Sequence, residues 1–394
     1  MIVKADKSPN LYKMKADEYK KKAIENITKD YRKCPKSDID KTIKEAANLA
    51  RSYDLEDRID LPTEDAAFIT VKDHKASFPG RMECRLINPA KNHLGKISKV
   101  ILEKINKTVR TATNFNQWQS TSSAIEWFNT IHPTPRTTFV KYDIVNFYPS
   151  IGKELLMSAI RWARSYTPIN SQEIDLILHC RKTFLYFEDD CWVKKSNKDF
   201  DVSQGSYDSA EICELVGLFL LSRMEKLIPK KQFGLYRDDG LAVVDLPGPE
   251  IDRLRKQIVE VFAEHHLKIT VKVNVRSTDF LDVMFDLENS SYKPYRKDVS
   301  PPIYINSESN HPRHIKKGLP EMIGRRVSDL SANKDVFSAE IPIYKNALRN
   351  AGYENELDTQ SQVQENRKTD VEEKCFGLTP PGMMKLAQML PKSF

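Results

Sequence analysis

The sequence contains few cysteines and no long apolar segment. Its six cysteines, at positions 34, 84, 180, 191, 213 and 375, are scattered without any CxxC pair. This spacing argues against a zinc site or a disulfide framework and favours a reducing compartment. No apolar run reaches the roughly 18 residues of a membrane span, and the charged N-terminus does not resemble a secretory signal. We therefore expect an intracellular protein, nuclear or cytoplasmic, without a membrane partner.

The surplus of positive charge is also small. The 394 residues include 62 Lys and Arg against 55 Asp and Glu, a formal net charge of +7 with histidine neutral. Such a balance permits a polyanionic partner but does not establish one. At about 150 residues per domain, the length predicts two or three structural units.

The first third of the chain changes from helical to strand periodicity. Residues 11–60 carry apolar residues at near-helical intervals, which predicts two amphipathic helices. Phe68–Lys72 and Met82–Ile87 flank a Pro-Gly turn, which predicts a β-hairpin. Residues 93–110 then predict a helix whose outer face is mostly basic.

Residues 138–295 alternate between strands and helices in the order of a split βαβ unit. In that arrangement strand 138–144 and hairpin 233–246 are neighbours in one sheet. The predicted elements are strand 138–144, helices 153–166, 171–182 and 208–227, hairpins 183–195 and 233–246, helix 249–265, strand 268–275 and a hairpin within 279–295.

Three carboxylates stand at the ends of these neighbouring strands. Asp143 ends the first strand, and Asp238 and Asp239 form the turn of the hairpin. Three such charges repel one another unless cations hold them, and oxygen ligands completed by substrate phosphates suit Mg²⁺. Two such ions can clamp both oxygens of an in-line phosphoryl displacement. The alternative is an ordinary acidic hairpin turn, such as we predict for residues 188–190.

Four segments, in order, resemble the motifs of reverse transcriptases. Tyr236-Arg237-Asp238-Asp239 resembles the Tyr-x-Asp-Asp box of that family. Residues 140–148 resemble its first carboxylate motif, residues 204–209 its Gln-Gly loop and residues 280–283 its primer-grip hairpin. The resemblance covers about residues 60 to 350. Shorter features, at residues 84–89, 292–297 and 310–312, are most similar to Penelope-like retroelement polymerases.

The resemblance implies an α+β right-hand polymerase with a ferredoxin-like (split βαβ) palm, β-hairpin fingers and a helical thumb. The implied divisions are an N-terminal helical extension (1–60), fingers (61–135), a palm (136–296) with a finger insertion at about 168–200, a thumb (297–353) and a flexible linker with a C-terminal tail (354–394).

The resemblance also assigns the chemistry to particular residues. It implies that Asp143 and Asp238 hold two Mg²⁺ ions, with Mn²⁺ as the alternative metal, while Asp239 supports them and the carbonyl of Ile144 ligates one. Tyr148 falls at the position of the family's steric gate, where a bulky ring clashes with a ribose 2′-hydroxyl and so favours deoxynucleotides.

In the fingers, Lys72 and Arg85 occupy the positions at which the family contacts the triphosphate. A forked guanidinium matches phosphate oxygens, and a lysine supplies a point charge. Lys75 and Arg81, in the loop between the strands, are rivals to Lys72 for this role.

Two further positions depart from the family pattern. Gln204 and Gly205 are expected to let the backbone approach the nucleotide and template base, but Ser209-Ala210 replaces the family's Ser-Pro. Arg276 stands where the family often has a lysine that protonates pyrophosphate. Because arginine does not donate its proton readily, we expect electrostatic stabilisation from Arg276, with Lys268 and Lys272 as outside candidates for the acid.

The remaining assignments concern nucleic acid. Phe280, Leu281 and Asp282 correspond to the primer grip. Two groups of basic residues are expected to contact the template backbone and the primer duplex. They are Lys96, Lys99 and Lys107 on the helix after the fingers, and Lys316, Lys317, Arg325 and Arg326 in the thumb.

The activity implied is RNA-directed DNA polymerisation, with an RNA template, a DNA primer and deoxynucleoside triphosphates as partners. An RNA-dependent RNA polymerase of the same fold is one rival, disfavoured by Tyr236 and Tyr148 because such enzymes usually carry Gly-Asp-Asp and lack a bulky gate. A catalytically silent, domesticated relative that only binds nucleic acid is the other. We find no cluster typical of RNase H and no Gly-Ile-Tyr nuclease pattern, so the chain either is a fragment or depends on a nick made elsewhere.

Overall fold

The computed structural model describes residues 1–6, 10–58, 65–73, 75, 77–89, 91–92, 94–197, 199–203, 205–296 and 302–353. They belong to two compact units, residues 1–291 and the residues from Tyr292 onward. Among the helices in these ranges, none combines the length and the apolarity needed to cross a bilayer.

The N-terminal region contains the two predicted helices and three short strands that were not predicted. Each helix buries one stripe, for example Ala23 and Ile27 in the first, as expected for an amphipathic helix. The strands have only three or four residues, too few for an alternation to be recognised. The elements are β1 (Ile2–Lys4), β2 (Leu11–Lys13), α1 (Ala16–Asp30), β3 (Tyr31–Cys34) and α2 (Lys36–Ser52).

The predicted fingers hairpin is present as β4 (Phe68–Val71) and β5 (Cys84–Ile87). Thr70 pairs with Arg85 in its antiparallel register. β1 lies beside β4 through a parallel bridge between Ala5 and Val71. Val3, Ile69 and Val71 are thereby buried against α1, and the N-terminal hairpin β1–β2 becomes part of the fingers.

The basic helix is α3 (Gly95–Thr113), which ends where Asn114 adopts a left-handed conformation, φ 51°. Its apolar face, including Leu102, Ile105 and Val109, is buried in the main core. Two elements that were not predicted follow it, β6 (Asn116–Gln117) and α4 (Thr121–Phe128).

The predicted strands and helices of the palm are all present. Its five-stranded sheet has the order β12-β7-β11-β10-β6, so the strand that ends near Asp143 does neighbour the 233–246 hairpin. The elements are β7 (Thr138–Ile144), α5 (Phe147–Ser150), α6 (Lys153–Ala163), α7 (Ser171–His179), β8 (Leu185–Phe187), β9 (Asp190–Lys194), α8 (Ser209–Met224), β10 (Phe233–Tyr236), β11 (Asp239–Val244), α9 (Gly248–Ala263) and β12 (Ile269–Val275).

Helix α8 is the centre of the main core. It is apolar on nearly every side, with Leu215, Val216, Leu218 and Phe219 all buried, as expected for a helix enclosed by other elements. Helices α3, α6 and α9 and the palm sheet surround it. The palm sheet therefore packs on a helix that is itself buried.

The finger insertion is the hairpin β8–β9, which pairs with β3 to form a separate three-stranded sheet. Its acidic turn is solvated, as predicted: Glu188 and Asp189 are exposed. Glu188 forms an ion pair of 2.6 Å with Lys20. A second hairpin, β13 (Ser277–Phe280) and β14 (Val283–Asp286), follows the palm, and β15 (Ser291–Pro294) stands at the junction of the two units.

The described part of the second unit, residues 292–296 and 302–353, contains two helices, α10 (Arg313–Asp329) and α11 (Lys334–Asn350). Leu319, Ile323 and Val327 of α10 pack with Phe337 and Ile341 of α11. Asn333 caps α11 by accepting a hydrogen bond from the Val336 amide, 2.9 Å. The predicted linker and tail at 354–394 lie outside the described residues.

Candidate active site

Asp143, Asp238 and Asp239 lie at the same end of the palm sheet. In the antiparallel pairing of β7 with β11, Asp143 lies directly opposite Asp239, so both side chains project from the same face. Asp238 precedes Asp239 in the turn, and its carbonyl accepts a hydrogen bond of 2.9 Å from the amide of Ile144. The sequence expectation that these carboxylates stand at the ends of neighbouring strands is confirmed.

Glycine and tyrosine fix the position of this turn. A Cβ at Gly240 would lie 2.0 Å from the Tyr142 ring, so only glycine allows β11 to pack on β7 here. The Tyr142 hydroxyl donates a hydrogen bond of 3.1 Å to the Gly234 carbonyl across the hairpin. Arg237 takes the left-handed conformation, φ 52°, which closes the turn and is unusual for a residue with a side chain.

The arrangement suits a divalent cation that the substrate completes. Carboxylates directly opposite each other in a sheet are destabilising unless a cation balances them, and all three aspartates are partly accessible. Within the described ranges, no three His, Cys, Asp or Glu side chains converge closely enough to hold a metal by themselves. This donor set fits Mg²⁺, which typically takes one or two carboxylates together with substrate phosphates and water.

Tyr148 lies beside the carboxylate turn. Its hydroxyl is next to the thiol of Cys213 on α8, and the charges of Arg237 and Asp238 act on both groups. Burial raises the pKa of Tyr148 above its ordinary value, with contributions from Cys213 and Asp238, so the phenol is neutral at physiological pH. The structure thus brings the predicted gate residue beside the carboxylate turn. The neighbouring position of Cys213 was not predicted, since an apolar helix offers no signal for one particular residue.

The Gln-Gly loop approaches the segment that follows the fingers. Gly205 has φ 112°, and a Cβ there would lie 2.4 Å from the Asn88 carbonyl oxygen, so glycine is required. Lys91 donates a hydrogen bond to the Gly205 carbonyl. Gln204 lies outside the described residues.

A buried ion pair anchors the end of this loop. Asp208 precedes α8 and pairs with Arg181, and the two side chains are 1% and 0% exposed. Ser98 of α3 also donates to Asp208. Removing one partner of such a pair leaves an uncompensated buried charge. The sequence did not predict this pair, because its members are 27 residues apart and carry no shared motif.

In the fingers, Lys72 and Arg85 lie close together. Partial burial, followed by the Arg85 charge, lowers the pKa of Lys72 below its ordinary value, while the Asp6 carboxylate opposes this shift. Lys75 and Arg81, the rivals to Lys72, are exposed in the loop. Arg85 forms an ion pair of 3.3 Å with Asp6.

Arg276 is not brought together with the carboxylates. It follows Val275, which pairs with Phe139 near the opposite end of β7. Its Nη1 donates to the carbonyls of Thr134, Pro135 and Thr137, at 3.3, 2.7 and 3.1 Å. These contacts hold the Arg276 side chain against the segment that precedes β7.

Lys268, by contrast, lies at the carboxylate end of the sheet. Its carbonyl accepts a hydrogen bond of 2.8 Å from the Val145 amide, and its side chain is exposed. The next residues of β12 pair with Ile144 and Asp143. Lys272 is opposite Lys141, further from the turn.

The primer-grip residues occupy the tip of the β13–β14 hairpin. Leu281, φ 52°, and Asp282 form the turn. Phe280 is buried, with its ring 5.2 Å from that of Trp118, and Asp282 accepts a hydrogen bond of 3.1 Å from Thr121. Phe280 therefore anchors the hairpin, and the two turn residues remain accessible.

The lysines and arginines predicted to contact nucleic acid differ in their contacts with other groups of the chain. Lys107 is exposed, Lys96 is 5.5 Å from the Tyr207 ring centroid, and Lys99 is 3.7 Å from both Glu103 and Glu211. The thumb residues belong to the second unit. Lys316 donates 2.9 Å to the Ser309 carbonyl, Arg325 pairs with Glu321, and Lys317 and Arg326 are exposed on α10.

Comparison with known proteins supports the fold. No curated protein matches the sequence significantly. Telomerase from Candida albicans, solved with a TWJ fragment of telomeric RNA, shares 12% identity with a TM-score of 0.54, over 85% of this chain and 57% of that one. Apo telomerase from Candida tropicalis shares 9% identity with a TM-score of 0.55, over 89% of this chain and 64% of that one. The chain has the right-hand polymerase fold.

These likenesses show the fold alone, and the chain spans less than two thirds of either telomerase. A separate match concerns the second unit. Residues 303–362 match the family described as the animal helix-turn-helix domain. That segment contains α10 and α11, joined by residues 330–333.

Proposed function

We propose that the chain is a reverse transcriptase of a retroelement, which extends a primer 3′-hydroxyl with deoxynucleotides on an RNA template by two-metal-ion phosphoryl transfer. The observation that carries this proposal is the register of the palm, which sets Asp143 opposite Asp239 with Asp238 in the adjoining turn. An acidic turn with no catalytic role has no need to face a third carboxylate, since like charges opposite each other destabilise a sheet.

Asp143 and Asp238 would hold the metal ions, with Asp239 and the carbonyl of Ile144 in support. Bound Mg²⁺, or Mn²⁺ in its place, lowers the pKa of the attacking hydroxyl and neutralises charge on the transferred and leaving phosphates. The protein keeps the carboxylates fixed through the β7–β11 pairing, so little reorganisation is needed at the moment of reaction.

The other residues would bind and select the nucleotide. Arg85 and Lys72 supply a guanidinium fork and an ammonium for the triphosphate. Tyr148, held beside the carboxylate turn, blocks the space of a ribose 2′-hydroxyl. Gln204 and Gly205 complete the approach to the template base.

We assign the protonation of pyrophosphate to Lys268 rather than to Arg276. Lys268 is exposed next to the carboxylate turn, whereas Arg276 is bonded to three carbonyls elsewhere. A lysine can also donate its proton, which an arginine does not readily do.

The proposed activity requires nucleic-acid partners. An RNA template and a DNA primer are the substrates, and one of the similar structures, the Candida albicans telomerase, was solved with RNA. Lys96, Lys99 and Lys107 would contact the template, and Lys316, Lys317, Arg325 and Arg326 the duplex. The motifs at residues 84–89, 292–297 and 310–312 favour a Penelope-like element.

Primer extension tests the proposal. We expect the full chain to incorporate dTTP on poly(rA)/oligo(dT) with Mg²⁺, and Asp238→Ala to abolish incorporation, because a metal-holding carboxylate is lost. Asp189→Ala is the matched control: this aspartate, like Asp238, directly precedes another aspartate in a hairpin turn, but it is exposed away from the palm sheet, so the activity of this variant should be unchanged.

Parallel reactions separate the rival functions. UTP incorporation in preference to dTTP would indicate an RNA polymerase. Absence of any incorporation by folded wild-type protein, with Mg²⁺ or Mn²⁺ and on RNA or DNA templates, would leave a silent nucleic-acid-binding relative and overturn the proposed enzyme.

A further inference from the structure

The N-terminal hairpin β1–β2 contacts the cationic residues of the fingers. Just after β1, the Asp6 amide donates a hydrogen bond of 2.7 Å to the Val71 carbonyl. In a parallel bridge the paired residues Ala5 and Val71 point to one face, so Asp6 and Lys72 point to the other. That is also the face of Thr70 and its partner Arg85.

The Asp6 carboxylate is engaged on this face. Oδ1 is 3.3 Å from Arg85 Nη1 and accepts a hydrogen bond of 3.3 Å from the Thr70 hydroxyl. Oδ2 is buried and has no hydrogen-bond partner within the described residues. The Asp6 side chain is only 5% exposed, whereas that of Arg85 is 36% exposed. A buried carboxylate thus holds one corner of a guanidinium fork that remains open to solvent.

We propose that Asp6 is a positioning residue for the nucleotide triphosphate, which orients Arg85 and balances the repulsion between Arg85 and Lys72. The inference rests on the proposed polymerase function. Asp6 lies against Nη1 of Arg85, which leaves the other donor groups of the guanidinium for phosphate oxygens. Residues that orient a direct contact in this way change affinity substantially when mutated, although they do not touch the ligand.

A second contact fixes the same loop. Asn10 and the Tyr12 hydroxyl donate to Asp73 Oδ2 at 3.0 and 2.9 Å, and Asp73 follows Lys72 directly. The N-terminal hairpin therefore restrains the fingers on both sides of Lys72. No local pattern indicates this role, since Asp6 and its partners are separated by more than 60 residues.

Steady-state kinetics of dTTP incorporation on poly(rA)/oligo(dT) test the proposal. For Asp6→Asn we expect KM for dTTP to rise about tenfold, which is the lower end of the effects on affinity seen when a residue that orients a direct contact is mutated. The kcat should stay within about twofold of the wild-type value. Asp6→Glu should restore most of the affinity, because it keeps the charge. Lys4→Gln, on the exposed face of the same strand, is the matched control and should leave both constants unchanged.

The pH dependence of kcat/KM distinguishes a positioning role of Asp6 from a purely structural one, because loss of a merely structural residue would leave the profile unchanged. The charged groups around the Lys72 ammonium are Arg85, Asp6, Lys75 and Glu83. Asp6 favours the protonated lysine, so Asp6→Asn lowers the Lys72 pKa further. We expect the alkaline limb of the kcat/KM profile for dTTP to move to lower pH in Asp6→Asn, and not in Lys4→Gln.

Binding of dTTP in Ca²⁺, measured by calorimetry, provides the same comparison without turnover. Should Asp6→Asn fail to fold, Thr70→Val removes the hydrogen bond to Asp6 Oδ1 and should raise KM to a smaller extent. An unchanged or lower KM in folded Asp6→Asn overturns the role of Asp6 while wild-type incorporation keeps the proposed function. Absence of wild-type incorporation overturns both.

Discussion

At the scale of single residues, Tyr148 shows how the core supports the predicted chemistry. Its ring packs against the main core, and its hydroxyl lies beside Cys213 on α8. Helix α8 is the helix on which the palm sheet packs. A side chain that packs against the core keeps a fixed rotamer, and a ring in a fixed position can discriminate between sugars by shape. Sugar selection should therefore depend on the ring and not on the hydroxyl.

We accordingly expect Tyr148→Ala to increase the use of UTP relative to dTTP by roughly 10- to 200-fold, the range for one steric contact in a pocket. Tyr148→Phe keeps the ring and removes only the hydroxyl, so its selectivity should stay near that of the wild type. Single-nucleotide extension with each triphosphate measures the ratio. Equal selectivity in all three proteins would remove Tyr148 from the gate.

The site residues found from sequence and those that were missed differ in a physical way. Asp143, Asp238 and Tyr148 belong to short segments whose order along the chain carries the information. Asp6 and Arg181 act through partners distant in sequence, so no local pattern marks them. Arg276 was placed by its position relative to the primer grip, but the β12 register carries it away from the carboxylates.

At the scale of elements, the hairpin β10–β11 determines the register of the site. Tyr142 on β7 lies under Gly240 of β11, and the close approach of these two residues sets Asp143 opposite Asp239. A shift of one residue would turn every side chain of the strand to the other face. The alignment of Asp143 with Asp239 therefore depends on a residue without a side chain.

Gly240→Ala should therefore destabilise the fold by about 1–3 kcal/mol or more, the usual cost of overpacking, and reduce incorporation. Gly248→Ala is the matched control, because a Cβ at Gly248 meets nothing within 4 Å and lies in the first turn of α9. Urea denaturation of both variants measures the difference. A Gly240→Ala protein as stable as Gly248→Ala would show that β7 and β11 can separate at no cost.

The elements themselves were predicted where their periodicity is local. The palm strands and helices, the fingers hairpin and α3 have apolar patterns or turn signals that are local in sequence, and they were found. Strands β1 and β2 form a hairpin of three-residue strands, too short for an alternation to be recognised. Strand β3 pairs with β9, about 160 residues further along the chain, so it depends on tertiary pairing, which the sequence pattern does not contain.

At the scale of the whole molecule, the net charge of +7 conceals two separate basic surfaces. One is the outer face of α3 in the first unit, and the other is α10 in the second unit, within the segment 303–362 that matches the animal helix-turn-helix domain. Several of these cations are already engaged, for example Lys99 with Glu103 and Glu211. Counting charges therefore overstates the number available to phosphates.

Salt dependence of binding distinguishes the cations that reach nucleic acid. Each phosphate contact contributes about 0.9 to the slope of log K against log salt for a duplex, and about 0.7 for a single strand. Changing Lys316, Lys317, Arg325 and Arg326 to Gln should lower the slope by at most about 3–4 on a primer–template duplex, and changing Lys96, Lys99 and Lys107 to Gln by at most about 2 on single-stranded template, because cations already paired with carboxylates contribute less. Fluorescence anisotropy of the full chain measures both.

Changing Lys36, Lys41 and Lys44 to Gln is the control, because these lysines lie exposed on α2, which we expect to be a solvated face. Its slope should match that of the wild type. A loss of affinity that is equal at every salt concentration would mean that a substitution acts through folding rather than through phosphate contacts, since only released counterions change the slope. A slope change in the α2 variant equal to that of the α10 variant would instead assign nucleic-acid binding to the N-terminal extension.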